Sequence, residues 1–233
     1  MLVEAWYPVT KDFGLIHAPL ENVVAGLVAW HADLGTHYKR REISSSFREA
    51  LESLPPLSAE KHRRLFVPTA SEWTACLQSG IDGSDPFPAM SFLSRKLGVL
   101  AIRVCCTPPD AKWPATIWDV YAPEKLGGTP PLGYRRSICA MNDGGRWVFE
   151  ESGARYPFEK IENYELPRKR DRFTRELLVQ YLSEFGISPF FDEFYVTSPD
   201  SPAVLLENCK RWPNPAPEYA LAEVKAGLPW KKQ

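Results

Sequence analysis

Apolar residues recur at helical spacing in three segments of the chain, and each segment ends in a glycine followed by an apolar stretch. In the first, Pro19 stands where a helix can begin, and Gly35 supplies the left-handed residue that commonly ends one. The apolar positions between them are Leu20, Val23, Val24, Leu27, Val28 and Leu34. This spacing predicts an amphipathic helix, and residues 37–43 then alternate as a half-exposed strand does.

The second segment predicts a helix that begins at Pro86, has Asp85 as its cap and is ended by Gly98. Residues 99–106 follow as an almost continuous apolar run. Such a run is typical of a strand buried on both faces. We therefore expect this strand at the centre of the sheet.

The third segment predicts a helix capped by Asp171 or Thr174 and ended by Gly186. Its apolar positions are Leu177, Leu178, Tyr181, Leu182 and Phe185. Residues 190–196 are rich in aromatic side chains and predict the strand after it.

The remaining elements include the clearest hairpin of the chain. Residues 134–141 and 146–151 flank Asn142-Asp143-Gly144-Gly145, whose residues tolerate the positive φ angles of a tight reversal. Further strands are predicted at residues 65–67, 73–77 and 115–121, and short helices at residues 47–54 and 219–225.

These elements predict an α+β fold: a single domain with a mixed, largely antiparallel sheet and amphipathic helices packed on it. No stretch is rich enough in Gly, Ser or Pro to divide the chain, so we expect one globular domain over residues 1–233. The proline-rich residues 211–233 are expected to wrap the surface.

Charge and hydropathy exclude several classes of partner. The 28 basic and 29 acidic residues leave a net charge of −1, so the chain has no general field that attracts nucleic acid or anionic lipid. The N-terminus lacks a signal-peptide pattern, and no apolar run is long enough to span a membrane. We therefore expect no membrane partner and a cytoplasmic location.

The five cysteines are an odd number and are widely spaced, which favours buried free thiols in a reducing compartment. Cys105 and Cys106 are adjacent in a predicted strand. Successive strand residues point to opposite faces, so this pair cannot hold one metal ion.

No signature of catalysis is present. The four histidines lack a metal-binding spacing, and neither a GxSxG elbow nor a phosphate-binding glycine loop occurs. His31 follows Leu27 by four residues and is expected as a hydrogen-bonded histidine at the margin of the core. The sequence therefore predicts no catalytic residue, no metal and no cofactor.

The loop over residues 79–85 has two interpretations. It holds two carboxylates and two hydroxyls before a helix N-terminus, where backbone N–H groups can hold an anion. In the first interpretation it is a glycine turn with a helix cap. In the second it is the site of an enzyme of unrecognised type, with Asp82 and Asp85 as acid, base or metal ligands and Arg146 as an anion clamp.

Two further features could mediate binding. The basic run comprises Arg168, Lys169, Arg170, Arg172 and Arg175. It is either a solvated loop with internal salt bridges or a nucleic-acid patch. The chain also has eight tryptophans, and Trp113, Trp212 and Trp230 lie among prolines. Exposed tryptophan is a common interface anchor, and the alternative is that each packs against a proline of its own domain.

Two parts of the sequence resemble a family of uncharacterised bacterial proteins. The first runs from residues 66–75 through 83–88 to Leu97-Gly98, and the second from residues 143–150 through 157–159 and 171–174 to Gly186-Ile187. Some members of that family resemble immunity proteins of bacterial toxin systems. The resemblance implies a cytoplasmic binding protein and assigns no catalytic residues. The near-neutral charge differs from the acidic surface expected of an inhibitor of a basic nuclease toxin.

These observations together predict a non-enzymatic protein-binding module, an immunity-type inhibitor whose partner is another protein. The expected partner-binding residues are Trp73, Asp82, Ser84, Asp85, Arg146 and Trp147. The alternatives are the enzyme with its site at residues 80–85 and a nucleic-acid binder that uses the basic run.

Overall fold

A single sheet of nine strands organises the protein in this computed structural model, which describes residues 2–108, 110–210 and 213–230. The strands are β1 (Asp12–Ile16), β2 (Tyr38–Ile43), β3 (Arg63–Pro68), β4 (Thr74–Gln78), β5 (Ala101–Cys106), β6 (Ala115–Tyr121), β7 (Tyr134–Asp143), β8 (Arg146–Gly153) and β9 (Ala203–Asn208). Their order across the sheet is β2-β9-β3-β4-β1-β5-β6-β7-β8. Every pairing between these strands is antiparallel, which confirms the α+β fold.

Helices cover both faces of this sheet. The α-helices are α1 (Leu2–Ala5), α2 (Leu20–Asp33), α3 (Phe47–Glu52), α4 (Phe87–Leu97), α5 (Arg175–Ser183) and α6 (Leu221–Lys225). Short 3-10 helices span Val9–Lys11, Glu124–Leu126, Ile161–Glu165, Lys169–Asp171, Asp192–Phe194 and Leu228–Trp230.

One face carries α2 and α4 side by side. Trp30 of α2 stacks on Phe92 of α4, with ring centroids 4.1 Å apart. Met90 of α4 lies directly over Gly14 of β1, where a Cβ would be 2.4 Å from the methionine sulfur. The glycine therefore lets α4 approach the middle of the sheet closely.

The opposite face holds the larger apolar core. Trp118 of β6 and Tyr181 of α5 are fully buried there, and their ring centroids lie 5.6 Å apart. Phe13 of β1 joins the same core, whereas Ile16 of β1 belongs to the α2 and α4 side. Side chains on the two faces of β1 thus belong to two different cores, as the pleat of a strand requires.

Several local predictions are confirmed. Gly98 ends α4 in the left-handed conformation with φ 72°. Thr174 caps α5 by accepting a hydrogen bond from the Leu177 N–H. The hairpin joins β7 to β8 through Gly144 and Gly145, both at positive φ.

Two local predictions are wrong. Asp85 does not cap α4, because Pro86 occupies the N-cap position and Asp85 itself has φ 40°. Residues 190–196 form a turn and a 3-10 helix instead of a strand, and Phe190, Phe194 and Tyr195 reach the core from this irregular segment. The strand that pairs with β3 on the side away from β4 is β9.

The centre of the sheet also differs from the prediction. The short strand β1, which the sequence did not reveal, is the middle one of the nine, and β5 lies next to it. β1 has only five residues, and Asp12 and Gly14 interrupt its apolar pattern. Pairing on both sides, with β4 and β5, stabilises a segment whose own propensity is weak.

The C-terminal segment lies partly outside the described residues, as Arg211, Trp212 and residues 231–233 do. Within the described part, Tyr219 forms a β-bridge with Leu57, and α6 buries Val224. No helix in the described ranges combines the length and the apolar character needed to cross a lipid bilayer.

Candidate functional site

One cavity of the structure is lined by two half-exposed tryptophans. Trp113 and Trp230 are each 52% exposed and line a cavity of about 760 Å³, called here the tryptophan pocket. Tyr7, Ile81 and Val224 form other parts of its wall. Small-molecule and peptide sites commonly occupy about 300–1,000 Å³, so this cavity has the size of a binding site.

Antiparallel pairing brings the walls of this pocket to one end of the sheet. β1 begins at Asp12, where β5 ends, and β4 ends beside them. The connections from these strand ends therefore share one edge. Tyr7, Pro8 and Lys11, the loop at residues 81–82 and the loop at residues 111–113 all line the pocket, and Val224 and Lys225 of α6 line it from the C-terminal segment.

Three lysines surround the tryptophan pocket. Lys11, Lys112 and Lys225 line it together with a single carboxylate, that of Asp82. Across residues 2–108, 110–210 and 213–230, none of the ion pairs found involves any of these lysines. The rim therefore carries a local excess of positive charge although the whole chain is nearly neutral.

A second, smaller cavity adjoins the first. It has a volume of about 230 Å³ and is called here the phenylalanine pocket, because Phe190 forms its wall together with Cys106 and Arg175. Tyr7 and Lys11 line both cavities. The two pockets thus adjoin at Tyr7 and Lys11, and together they are called here the groove.

The phenol and the thiol of this groove, those of Tyr7 and Cys106, are held in neutral forms that do not suit nucleophilic chemistry. Burial, and then the negative potential of Cys105, Asp82 and Asp110, raises the pKa of Tyr7. Burial raises the pKa of Cys106 to about 11. Both side chains are therefore protonated at neutral pH, and they offer apolar surface and hydrogen-bond donors.

A separate cluster of charges lies on the α2 and α4 face. Arg103 of β5 reaches Asp12 at 3.1 Å, Asp119 at 3.2 Å and Asp85 at 3.8 Å. Burial raises the pKa of Asp12 to about 6 in spite of Arg103. The Oδ1 atom of Asp12 is buried and has no hydrogen-bond partner among the described residues. The cluster balances an arginine inside the fold, and no metal-binding group of three His, Cys, Asp or Glu side chains occurs in the described part of the chain.

The structure separates the members of the predicted loop site. Asp82 is exposed and lines the tryptophan pocket, whereas Asp85 accepts from the Lys61 ammonium at 3.4 Å and belongs to the Arg103 cluster. Ser84 is fully buried, where its hydroxyl donates to Val9 O at 3.1 Å and accepts from the Gln78 N–H. Its contacts fix the loop.

Trp73 is a core residue. Its side chain is 5% exposed, its indole N–H donates to Phe185 O at 3.1 Å, and its ring lies 4.9 Å from that of His17. It therefore presents almost no surface to a partner.

Arg146 and Trp147 lie at the start of β8, in the hairpin with β7. Trp147 pairs with Asn142, whose N–H donates to Pro114 O at 2.8 Å. Because Pro114 follows Trp113, the hairpin stands at the same end of the sheet as the tryptophan pocket. Arg146 is exposed there, and Trp147 is partly buried.

The basic run divides into two groups. Arg168, Lys169 and Arg170 are exposed. Arg172 donates to Leu166 O at 2.7 Å and lies over the ring of Phe149. Arg175 pairs with Glu4 at 3.3 Å, lies over the ring of Phe190 and lines the phenylalanine pocket.

Two of the histidines illustrate how these side chains are paired. The Nδ1 atom of His31 and the Tyr38 hydroxyl form a hydrogen bond of 2.8 Å, as expected of a histidine at the core margin. His62 lies 2.6 Å from Glu60 at the side of a further cavity of about 380 Å³.

The sequence drew attention to Trp113 and Trp230 as surplus tryptophans, but it did not place them in one site. Lys11, Lys112 and Lys225 gave no signal, because isolated lysines are ordinary surface residues. Comparison with models of known families, with curated proteins and with solved structures finds no match to this chain. The resemblance to the bacterial family stays a prediction.

Proposed function

We propose that this protein is a non-enzymatic binding module of the bacterial cytoplasm that recognises another protein through the tryptophan pocket, as an immunity-type inhibitor of a toxin. One observation carries the proposal. Trp113 and Trp230 come from distant parts of the chain, line one cavity and each leave about half of their surface exposed.

The energetic reason is the apolar area that these side chains leave in contact with water. Covering about 100 Å² of one tryptophan contributes roughly 2–3 kcal/mol. Tryptophans in such positions are frequent hot spots, since they combine a large area with few rotatable bonds. Ile81 and Asp82 extend the same surface with an apolar and a charged contact from the predicted loop.

The test is capture of a partner from the native bacterial host, followed by its identification and by titration of the two purified proteins in a calorimeter. We expect the double variant W113A/W230A to retain its fold and to lose at least about a hundredfold in affinity. The matched control is I161A, which removes an exposed apolar side chain outside the pocket.

The immunity role has its own test. The reading frame beside this gene is expected to encode a toxin, and co-expression of the present chain is expected to restore growth, whereas W113A/W230A is not. A neighbouring product that is harmless and does not bind would contradict the immunity role. Equal affinity of the wild type and W113A/W230A for a captured partner would contradict the proposed site.

A further inference from the structure

We infer that the partner inserts an extended, acidic segment along the whole groove, with an apolar side chain in the tryptophan pocket, a carboxylate beside Lys11 and Lys112, and a second apolar side chain in the phenylalanine pocket. This inference rests on the proposed function and names the chemistry of the partner.

The groove carries positive charge that the described residues leave unpaired. Lys11, Lys112 and Lys225 have no ion-pair partner among the described residues, and Lys225 donates only to the Ala5 carbonyl. Lys112 lies over the Trp113 ring at 5.4 Å, so its ammonium is close to a side chain that lines the pocket. Asp82 is the only carboxylate among the pocket's lining residues. An acidic segment satisfies the lysines, whereas a basic one would be repelled.

The two cavities are neighbours. They adjoin at Tyr7 and Lys11, which line both. A groove with two apolar ends and a charged middle suits an extended chain, whose alternate side chains point the same way. A compact ligand would fill only one end.

The phenylalanine pocket is the more apolar end of the groove. The Arg175 guanidinium lies over Phe190 at 4.7 Å and is already paired with Glu4. The Cys106 thiol is neutral and partly buried. The phenylalanine pocket therefore suits an apolar side chain of the partner. The partner's carboxylate is expected to bind in the middle of the groove.

The probe is a displayed library of short random peptides, selected on the full-length protein. We expect the selected peptides to share a carboxylate between two apolar or aromatic residues. Synthetic versions of one such peptide, with its carboxylates kept or replaced by amides, are then titrated while tryptophan fluorescence is followed. Replacement by amides is expected to weaken binding about tenfold, and added salt is expected to weaken only the acidic version.

Charge-reversal variants test whether the groove lysines attract the acidic peptide. K11E and K112E are each expected to weaken the acidic peptide about tenfold, and both reversals together more than either alone. The matched control is K39E on the edge strand β2, which reverses an exposed lysine outside the groove and is expected to leave the affinity unchanged.

Occupancy of the phenylalanine pocket is read from alkylation of Cys106, mapped by mass spectrometry at mildly alkaline pH. The peptide is expected to slow the labelling of Cys106 at least about fivefold and to leave Cys209, which is exposed, unaffected. This readout reports the second cavity independently of the tryptophans.

The outcomes distinguish this inference from the proposed function. Peptides that depend on Trp113 but show no acidic preference, or that leave Cys106 labelling unchanged, would overturn the inference and leave the proposed function intact. A library without any Trp113-dependent peptide would also overturn it, because an extended segment would then not suffice. The proposed function is judged separately, by the captured partner and W113A/W230A.

Discussion

Arg136 and Glu159 form an ion pair in which neither side chain has any solvent exposure. Arg136 Nε and Nη2 donate to the two carboxylate oxygens of Glu159 at 2.9 and 2.6 Å. The Tyr164 hydroxyl and the Tyr156 N–H also donate to Glu159. The pair ties the segment after β8 to the sheet and satisfies its own charges.

Removal of one partner is expected to destabilise the fold strongly. In R136M the carboxylate of Glu159 stays buried without its counter-ion, and we expect the free energy of unfolding to fall by about 3–5 kcal/mol. Chemical denaturation followed by circular dichroism measures this. The control R40M breaks the exposed pair with Glu21 and is expected to cost no more than about 1 kcal/mol. Similar losses in both variants would contradict a buried network.

The loop that presents Asp82 depends on Gly80. A Cβ on residue 80 would lie 2.0 Å from the Gly83 carbonyl oxygen, which is backbone and cannot move aside as a flexible side chain can. We expect G80A to cost about 1–3 kcal/mol and to weaken binding at the tryptophan pocket. In G14A the added methyl meets the flexible end of Met90, so a smaller loss is expected. Denaturation of both variants tests this ranking, and a smaller loss in G80A would contradict it.

Asp12 makes the protein less stable as the pH rises. Burial raises its pKa from 3.8 to about 6 in the folded state, so the folded protein binds this proton more tightly than the unfolded chain does. Relative to D12N, the wild type is expected to lose on the order of 3 kcal/mol between about pH 4 and pH 6. Paired denaturation curves across this range measure the difference. A relative gain of stability with rising pH would mean that Arg103 outweighs burial.

His31 changes the pH dependence of stability in the direction opposite to Asp12. Burial, and then Arg64, lowers its pKa from 6.5 to about 4, so the unfolded chain binds the proton more tightly than the folded one. Its contribution to stability is present above about pH 6.5 and is lost as the pH falls towards 4. We expect the His31 ring signals in NMR to stay constant from pH 7 to about pH 5 and to titrate near about pH 6.5 when the chain is unfolded in urea. A folded-state midpoint near 6.5 would contradict this.

Local patterns predicted most helices and the hairpin because their causes are local. Gly98 and Thr174 act within one turn of the helix they end or begin. The same reasoning was wrong for Asp85, whose carboxylate lies near Lys61 in the loop before β3 and near Arg103 of β5. β1 escaped prediction because its stability comes from the strands on either side.

The candidate site was predictable only in part. The sequence indicated Asp82 and a surplus of tryptophan, and the structure places Asp82 with Trp113 and Trp230. Trp73 and Ser84 carried the same polar or aromatic character in the sequence but are buried. Burial depends on which segments pack together, which no local pattern records.

The sequence by itself determined the fold class, the amphipathic faces of the helices and the near-neutral charge, because each depends on residue type and on spacing within one segment. Only the tertiary structure decided that β1 is the central strand and that the groove collects Lys11, Trp113 and Trp230 at one end of the sheet. These features require residues far apart in the chain to meet, and their meeting depends on the packing of the whole fold.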